Sequence, residues 1–543
     1  MNIPTTLRDV LDRWGPGQLM AFSGLDGRTD YGDGIVARTS RRGTGFEVML
    51  PGRADVVLSD VAPTRCFLTG DVLQAETTAG PVTAAFLDAH HLLVRGACRA
   101  SAMDPLVTVL SVGDRTLVAS TRYVCPACLN ADLDAAVRER LRWLDAQRLP
   151  SDMDTARRRT LTKALSVMKT QVYTPEGAIR HRWTTPDRWP HRNQWLWDSA
   201  FHAIGWRHLD PALARETIEA VTDRQCADGR IPISVPPYGN DTKGLTQPPV
   251  LTLAAWMVDQ AKPDDAWMSR LYPALCRYVE WDLANRDTDG AGLLEWAVED
   301  KATCRCGESG WDNSTRFDSG AQLDAPDFNA MAALECELLG RLAARLGRPR
   351  EEQDLWHDRH QRLCRLLNER LWSRSNELYM DATAGSREHT GVLSEAGFLP
   401  LICRAPSRRQ ADQLAAHLRN PATFGAPLPV PSIAPRSSSG YAKDMWRGPV
   451  WVNVNWLIVL GLRLYGLDET ADALRRATLA EIERQYERHG VIFEFYDDER
   501  RVDPPDLDRK GPCNPDEWLH QVVFDYGWTA ALYLDGALGR MNL

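Results

Sequence analysis

A long succession of amphipathic helical segments is the feature of this sequence that most limits its fold. Twelve such segments lie between residues 153 and 538, each with apolar residues at helical spacing and most followed by a Gly, Pro or Asp break. Twelve helices suit six helical hairpins closed into an (α/α)6 barrel. A helical solenoid would need a similar number of helices, but it would also show a repeat period, and this sequence shows none. The sequence therefore predicts a mainly α protein built on an (α/α)6 barrel.

The part of the chain before this region has a different pattern. From about residue 17 to 124, short runs of Val, Thr, Leu and Phe such as GFEVMLPG, HHLLVRG and TLVASTRYV are bounded by Gly, Asp and Pro, which is typical of antiparallel strands. The segment 130–148 returns to helical spacing. We therefore expect an N-terminal β-sandwich domain over residues 1–128, a helical linker over 129–151, and the barrel, as the catalytic domain, over 152–543.

Composition excludes several classes of partner. Apolar residues make up 44% and charged residues 25% of the chain, as in ordinary globular proteins, and the net charge of −9 is spread without a basic stripe. Nucleic acid is therefore not an expected partner. The first twelve residues have neither a basic nor an apolar region, and no run of 18 apolar residues occurs, so we expect neither a secretion signal nor a membrane span.

The cysteines indicate a reducing environment and give no metal site. All 12 are scattered along the chain, which fits free thiols and a cytoplasmic location. Cys125 and Cys128 form a CxxC pair without a second pair nearby, and the spacing of Cys304 and Cys306 does not complete a zinc site. No metal and no cofactor are predicted, and a homo-oligomer stays open.

Loops rich in Trp and carboxylates separate the helices. The chain has 19 Trp, more than its 13 Tyr or 12 Phe, and five polar aromatic stretches fall where helices begin or end: 183–202, 227–241, 309–320, 442–456 and 490–532. An indole covers the C–H face of a sugar, and a carboxylate accepts hydrogen bonds from its hydroxyls. For any one loop a structural role is an equal alternative: Asp198, for example, could cap a helix. Five such loops together favour a carbohydrate site and a small saccharide or glycoside as substrate.

Five sequence blocks then resemble a known family. RNQWLWDSAFHAIG, SGWDNSTRFD, APDFNAMAALE, WRGPVWVNVNWLIVLGL and FDYGWTAALYL are similar, in wording and order, to blocks of glycoside hydrolase family 63 and its relatives, which include bacterial mannosylglycerate and glucosylglycerate hydrolases, α-glucosidases and, more distantly, trehalases. The resemblance covers about residues 155 to 540 and leaves out the first 130. It implies an (α/α)6 barrel and an inverting, exo-acting α-glycosidase that hydrolyses an α-glucoside or a related small α-glycoside.

Inverting hydrolysis needs a protonated acid and an ionised base, with their carboxyl groups roughly 6.5–9.5 Å apart. The resemblance assigns the acid to Asp312 in the block SGWDNSTRFD, and the neighbouring Trp311 offers an apolar wall that would help to keep it protonated. The alternative for Asp312 and Asn313 is a simple Asx turn.

The resemblance places the base at a Glu near the C-terminus, and Glu494 in IFEFYDD is the best match. The following stretch is longer and more charged than in the family, so Asp497, Glu499 and Glu517 are rivals. Strand-like alternation would place Tyr496 on the same side as Glu494, where its hydroxyl could donate a hydrogen bond to the carboxylate.

Binding roles are also implied by the resemblance. Trp197 and Asp198 resemble a pair that holds the non-reducing sugar, while Arg316 and Asp318 could orient the acid or contact an acidic aglycone. The full predicted substrate-binding set is Trp195, Trp197, Asp198, Gln247, Trp311, Arg316, Trp446, Arg447, Gly448, Trp451, Tyr496 and Trp528.

Two other functions remain open on the sequence. Another six-hairpin glycosidase, α-L-rhamnosidase-like or trehalase-like, would use the same barrel for a different sugar. A sugar-binding barrel that has lost catalysis would keep the aromatic loops, although candidates for both carboxylates are present. The sugar, the linkage, the aglycone and the role of the β domain are not defined.

Overall fold

A computed structural model describes residues 11–41, 43–150, 153–241, 243–435, 440–539 and 541. The predicted domain bounds also include residues 1–10, 151–152, 540 and 542–543, which lie outside the described residues. Among the helices of the described chain, none is long and apolar enough to cross a membrane.

The N-terminal region consists of antiparallel strands. Within the described residues the strands form a five-stranded sheet in the order β1-β2-β3-β4-β9 and a six-stranded sheet in the order β10-β11-β8-β7-β6-β5. All neighbouring strands pair antiparallel. The strand bounds are β1 Leu19–Ala21, β2 Val36–Thr39, β3 Thr44–Leu50, β4 Ala54–Ser59, β5 Arg65–Leu68, β6 Val72–Thr77, β7 Gly80–Asp88, β8 His91–Arg95, β9 Arg99–Ala102, β10 Val107–Val112 and β11 Arg115–Ser120.

The six-stranded sheet is buried on both faces. In β8, Leu92 and Val94 join a core shared with residues of the five-stranded sheet such as Phe46. The intervening Leu93 points to the opposite face and packs in the large core that includes Val137 and the helices that follow. This alternation follows from the two-residue period of a strand, and it joins the β region to the helical region through apolar contact.

The rest of the chain is helical. Short two-stranded pairs and 3-10 turns connect the helices, and a 3-10 helix spans Glu395–Cys403. The α-helices are α1 Leu133–Ala146, α2 Thr155–Thr170, α3 Leu196–Trp206, α4 Pro211–Thr222, α5 Leu251–Ala261, α6 Asp265–Asn285, α7 Pro326–Arg345, α8 Arg350–Leu366, α9 Arg408–His417, α10 Val452–Leu464, α11 Asp468–His489 and α12 Gly527–Leu538.

Five α-helices and the 3-10 helix Glu395–Cys403 contact one another in a closed order. Helix α3 packs against α5, α5 against α7, α7 against the Glu395–Cys403 helix, this helix against α10, α10 against α12, and α12 back against α3. Helices α2, α4, α6, α8 and α11 each pack against members of this ring. The loops that begin these inner helices therefore approach a common end of the helical region.

The predicted fold class is confirmed at the level of antiparallel sheets followed by a helical region. One predicted helical segment, 391–403, differs: Glu395–Cys403 forms a 3-10 helix rather than an α-helix. Pro400 has no N–H for an α-helical hydrogen bond, and a Cβ on Gly397 would lie 2.3 Å from the Tyr379 carbonyl oxygen. The narrower 3-10 geometry allows this close approach.

Candidate active site

The loop 309–320 lies between α6 and α7, and Gly310 determines its path. Gly310 has φ of +79°, and a Cβ there would lie 2.4 Å from Cζ2 of Trp197. Only glycine fits both the left-handed backbone and this approach to the indole. The next two residues are then held in place, because the Ser309 hydroxyl accepts a hydrogen bond from Trp311 N at 3.0 Å and the Asp312 carbonyl accepts one from Arg305 N at 2.8 Å.

Asn313 fastens this loop to two others. Its Nδ2 donates to Oδ1 of Asp444 at 2.9 Å, and its Oδ1 accepts from Trp446 N at 3.1 Å. Oδ1 of Asp444 also accepts from Lys510 N at 2.7 Å. The loops 309–320, 442–448 and 508–511 therefore meet beside Asp312.

The two predicted catalytic carboxylates lie beside consecutive cationic residues. Oδ2 of Asp312 is 2.5 Å from Nζ of Lys510. Oε2 of Glu494 accepts from Nε of Arg509 at 2.8 Å, and its Oε1 accepts from an Arg509 Nη at 3.1 Å. Arg509 also interacts electrostatically with Asp312, so both carboxylates lie around this dipeptide. The Glu494 side chain is only 3% exposed, whereas that of Asp312 is 21% exposed.

Both carboxylates raise the pKa of Arg509. Burial lowers the pKa of Arg509, but the Glu494 carboxylate, followed by Asp312, raises it, and the pKa lies above its usual value. The guanidinium is therefore a permanent charge between the two acids. Val523 N adds a hydrogen bond of 3.2 Å to Oε2 of Glu494, so both carboxylate oxygens are occupied.

Tyr496 does not donate to Glu494, contrary to the prediction. Its backbone pairs with Val450, and its hydroxyl instead accepts a hydrogen bond from Phe493 N at 3.1 Å. The side chain is turned back onto its own segment, and Arg509 takes the place at the carboxylate that was assigned to the tyrosine.

The rival bases are engaged elsewhere. Asp497 accepts hydrogen bonds from the amides of Arg501 and Val502 and pairs with Lys443 at 2.6 Å. The side chain of Glu499 is 39% exposed and that of Glu517 is 61% exposed. Of this group, Glu494 is the carboxylate whose partner, Arg509, also interacts with Asp312.

A further carboxylate lies near Glu494. Burial raises the pKa of Asp198 well above its usual range, and the charges of Asp187 and Glu494 raise this pKa further. The Tyr526 hydroxyl donates a hydrogen bond to Asp198 at 3.3 Å and lowers the pKa. His191 bridges Asp187, at 2.8 Å, and Arg509, whose Nη lies 3.4 Å from the other ring nitrogen. Burial thus favours the neutral form of Asp198, and the contact with Tyr526 holds its carboxyl group in place.

Five of the predicted tryptophans form a closed ring of contacts beneath these groups. Ring centroids are 5.8 Å apart for Trp197 and Trp311, 5.0 Å for Trp311 and Trp446, 3.6 Å for Trp446 and Trp451, 5.7 Å for Trp451 and Trp528, and 4.9 Å for Trp528 and Trp197. All five are at most 3% exposed. They pack as a rigid floor, and the indole nitrogens of Trp446 and Trp528 have no hydrogen-bond partner in the described chain.

Trp311 lies in this ring beside the acid, but its polar atom points away from it. Its Nε1 donates to Oε1 of Glu395 at 2.8 Å. Burial raises the pKa of Glu395, the first residue of the 3-10 helix, well above its usual range, and the hydrogen bond to Glu395 anchors the Trp311 ring.

Arg316 does not reach the site, contrary to the prediction. It is 1% exposed, and its guanidinium binds the carboxylates of Asp327 at 2.6 Å and Asp381 at 2.7 Å. Arg316 is therefore a buried support of the loop. The other predicted cation, Arg447, pairs with Asp318 at 2.6 Å and donates to the Asn313 carbonyl at 3.1 Å.

The remaining predicted residues border the same loops. Gln247 accepts a hydrogen bond from Trp197 N at 3.2 Å, and Trp195 packs edge-on against His191. Gly448 has extended backbone, but a Cβ there would lie 2.3 Å from the Ala442 carbonyl oxygen.

Sequence reasoning missed Arg509 and Lys510, whose contacts hold the site together. The signal was present, because the stretch after Tyr496 is longer and more charged than the family pattern. The sequence prediction took the rival acids Asp497, Glu499 and Glu517 from this stretch but did not include its cationic residues.

The paired carboxylates, aromatic floor and helical ring are the features of a carbohydrate-processing hydrolase. The mannosylglycerate hydrolase MGH1-like glycoside hydrolase domain matches residues 191–501, and the chain belongs to this family. The resemblance to glycoside hydrolase family 63 is thereby confirmed.

Similar proteins agree with this assignment. The mannosylglycerate hydrolase of Rubrobacter radiotolerans is 26% identical in an alignment that covers 65% of this chain and 92% of that protein. The glucosylglycerate hydrolase of Mycolicibacterium hassiacum is 23% identical in an alignment that covers 58% of this chain and 87% of that protein. The crystal structure of the family 63 mannosylglycerate hydrolase from Thermus thermophilus with glucose is 26% identical and has a TM-score of 0.56, covering 69% of this chain and 99% of that one.

Proposed function

We propose that this glycoside hydrolase is an exo-acting, inverting α-glycosidase with Asp312 as the general acid and Glu494 as the general base. The observation that carries the proposal is the Arg509–Lys510 dipeptide, which brings the two carboxylates to one site. The scaffold is an (α/α)6 barrel over 152–543, supported by the closed order of helix contacts. It follows a β-sandwich domain over 1–128 and a helical linker over 129–151.

Glu494 has the surroundings that a base requires. A guanidinium and an amide N–H both donate to it, and such contacts stabilise the ionised form that withdraws a proton from water. The burial of the side chain keeps bulk solvent away from this carboxylate.

Asp312 has a partner that must move. Its contact with Lys510 suits an ionised carboxylate, whereas an acid that donates to the leaving oxygen reacts in its protonated form. Lys510 Nζ therefore leaves Asp312 before the glycosidic bond breaks. An anionic aglycone gives the ammonium group a new partner, and Asp312 is then free to hold a proton.

This step selects a class of substrate. We infer that the substrate is an α-glucoside or α-mannoside with a carboxylate in its aglycone, such as glucosylglycerate or mannosylglycerate, because relatives are named as hydrolases of these compounds. The sugar would lie on the tryptophan floor, with Asp198 at its hydroxyls. The full proposed binding set is Trp195, Trp197, Asp198, Gln247, Trp446, Arg447, Gly448, Trp451, Trp528 and Lys510.

A substrate panel tests the proposal. Mannosylglycerate, glucosylglycerate, the uncharged glycerol glycosides, trehalose and an aryl α-L-rhamnoside are supplied separately, and the product anomer is followed by NMR. The expected result is release of a β-anomer from a glyceryl glycoside. Release of the α-anomer would exclude inversion, and hydrolysis of trehalose or the rhamnoside alone would favour another six-hairpin glycosidase.

Variants test the three roles. Asp312→Asn and Glu494→Gln should each lower kcat by at least about 100-fold, since general acid–base groups contribute about 10²–10⁴-fold. Lys510→Gln should remove the preference for the charged aglycone over its uncharged analogue, while Lys301→Gln, at an exposed lysine, should keep it. If Lys510→Gln keeps the preference, the acidic-aglycone assignment is wrong. If Asp312→Asn binds sugar and still hydrolyses at the wild-type rate, the acid is wrong.

A further inference from the structure

Three carboxylates meet away from the proposed active site, and a fourth lies beside them. Asp287, Asp289 and Glu295 lie in the loop between α6 and the strand pair before α7, and each offers an oxygen within 4.8 Å of the other two. The fourth is Asp324, whose strand residue bridges to Glu295. None of the described cysteines belongs to this cluster.

Asp324 is the observation that makes this cluster more than a surface acidic patch. It is 1% exposed, and neither of its carboxylate oxygens has a hydrogen-bond partner in the described chain. An unpaired buried carboxylate is costly, and within the described residues the charged groups around Asp324 are Asp287, Asp289, Glu295 and a single cation, Arg370.

Glu295 shows the same feature at the buried end of the loop. Its Oε2 accepts from the Thr288 amide at 2.8 Å and the Thr288 hydroxyl at 2.5 Å. Its Oε1 has no partner within the described residues, although the residue is fully buried. Two carboxylates thus present unpaired oxygens in one place.

The loop shares the first half of the spacing of a calcium-binding turn, although the fifth and twelfth positions of that pattern are Ala291 and Val298. Asp287, Asp289 and the glycine at 292 occupy the first, third and sixth positions of DTDGAGLLE, the positions that carry two acidic ligands and an invariant glycine in a calcium loop. Gly292 has φ of +93°, so the chain turns sharply as such a loop requires.

We propose that Asp287, Asp289, Glu295 and Asp324 bind a divalent cation, and that this cation is Ca²⁺. Every candidate ligand is an oxygen of a carboxylate, which a hard cation prefers, and an irregular set from a loop and a strand suits the flexible coordination of Ca²⁺ better than the strict octahedron of Mg²⁺. Arg370 is the cation already nearby, and its Nη1 is engaged by the Ala291 carbonyl at 2.7 Å.

The site supports the acid loop through a short chain of contacts. Asp324 pairs with Ala382, one residue after Asp381, and Asp327 follows three residues later at the start of α7. Asp327 and Asp381 are the carboxylates that hold Arg316 behind Asp312. A bound cation fixes the position of the strand pair from which this support comes.

Metal binding tests the proposal without reference to hydrolysis. The full chain is freed of metal with EDTA, and CaCl₂ is titrated in by calorimetry and, separately, in thermal melts. We expect one Ca²⁺ per chain, a higher Tm with Ca²⁺, and weaker binding of Mg²⁺. The proposal is overturned if the wild-type protein binds no Ca²⁺ at millimolar concentration, and the choice of Ca²⁺ is overturned if Mg²⁺ binds equally well.

Variants locate the site. Asp324→Asn should weaken Ca²⁺ binding by at least about 100-fold, since even the loss of an outer-shell partner weakens metal binding about 10–100-fold. In the absence of metal it should melt at or above the wild-type temperature, because the amide removes charge repulsion. Asp282→Asn, at another buried Asp without a hydrogen-bond partner in the described chain, should bind Ca²⁺ normally. Unchanged binding in Asp324→Asn would overturn the site.

A second variant covers the case in which Asp324→Asn does not fold. Asp287→Asn/Asp289→Asn changes the partly exposed and exposed members of the cluster, where a fold can tolerate the loss. It should abolish the Ca²⁺-dependent rise in Tm, and retention of that rise would overturn the proposal. Activity is not measured in either experiment, so their failure and that of the proposed function are distinguishable.

Discussion

Gly310 lies with φ of +79° directly against the Trp197 indole, and the loop that carries Asp312 starts from it. We expect Gly310→Ala to lower the free energy of unfolding by about 1–3 kcal/mol, through the strained backbone and the overpacked ring. The displaced loop should also lower kcat. Gly320→Ala is the matched control, since Gly320 has φ of +69° but no described atom within 4 Å of the position that a Cβ would take, so only the backbone is strained. Equal kcat losses in the two variants would contradict a role for the Trp197 contact.

Arg509 gives a second prediction at this scale. In Arg509→Met the buried Glu494 loses its charged partner, and burial then favours the protonated form of the carboxylate. Since the base must be ionised, the acidic limb of the kcat/KM profile should move to higher pH. Arg509→Lys keeps the charge and should shift it less. The measurement is kcat/KM from about pH 4 to 9, and a limb that does not move would show that Arg509 acts on folding alone.

At the scale of single residues, a sequence pattern indicates which neighbours along the chain share a side, but not which distant side chains contact them. Glu494 was predicted as the base because the family resemblance points to a glutamate in a short aromatic segment near the C-terminus. Its partner was assigned to Tyr496 by local strand alternation, whereas the true partner, Arg509, comes from 15 residues further along through a loop. Strand alternation indicates the side of a segment, but it does not specify which distant side chain arrives there.

Among the elements, α7 and α5 are joined by a buried carboxylate. Glu335 of α7 accepts hydrogen bonds from the amides of Thr252 at 2.8 Å and Leu253 at 2.9 Å, in the first turn of α5. These amides are otherwise unpaired at a helix N-terminus. Burial raises the pKa of Glu335 to about 7, although the hydrogen bonds lower it.

This shift predicts a pH dependence of stability. The folded pKa lies above the unfolded value of about 4.5, so the folded state binds the proton more tightly and stability falls as pH rises from about 4.5 to 7. The contribution is up to about 1.4 kcal/mol per pH unit. Glu335→Gln should reduce the slope of the free energy of unfolding against pH, measured by urea unfolding at about pH 5, 6 and 7, even though its absolute stability is lower. An unchanged slope would contradict the assignment.

Helical periodicity could be read from the sequence, but helix type could not. Apolar spacing indicates a helix near 395–403 whether it is 3-10 or α, and the structural features that favour the 3-10 form are Pro400 and the approach of Gly397 to Tyr379. The prediction of no metal rested on the spacing of the cysteines, which zinc prefers, whereas the proposed Ca²⁺ site consists of carboxylates.

At the scale of the whole molecule, a buried carboxylate links the β region to the segments that hold the proposed base. Oδ2 of Asp525 accepts from Leu19 N of β1 at 3.0 Å and from Lys163 Nζ of α2 at 2.8 Å, while its Oδ1 accepts from Ile492 N at 3.3 Å. Asp525 lies two residues after Val523, which donates to Glu494. The sequence resemblance begins after the β region, so it could not predict this attachment.

This attachment predicts cooperative unfolding. In Lys163→Met the buried Asp525 loses its counter-charge, and breaking such a pair costs about 3–5 kcal/mol. Because Asp525 joins the two regions, both should unfold together at a lower urea concentration. Trp fluorescence follows the helical region, since of 19 Trp only Trp14 precedes residue 130, and hydrogen exchange of β6–β8 follows the sheets. The double variant Lys163→Met/Asp525→Asn removes both charges and should recover part of the loss. Two separate transitions in the wild-type protein would show that the regions fold independently.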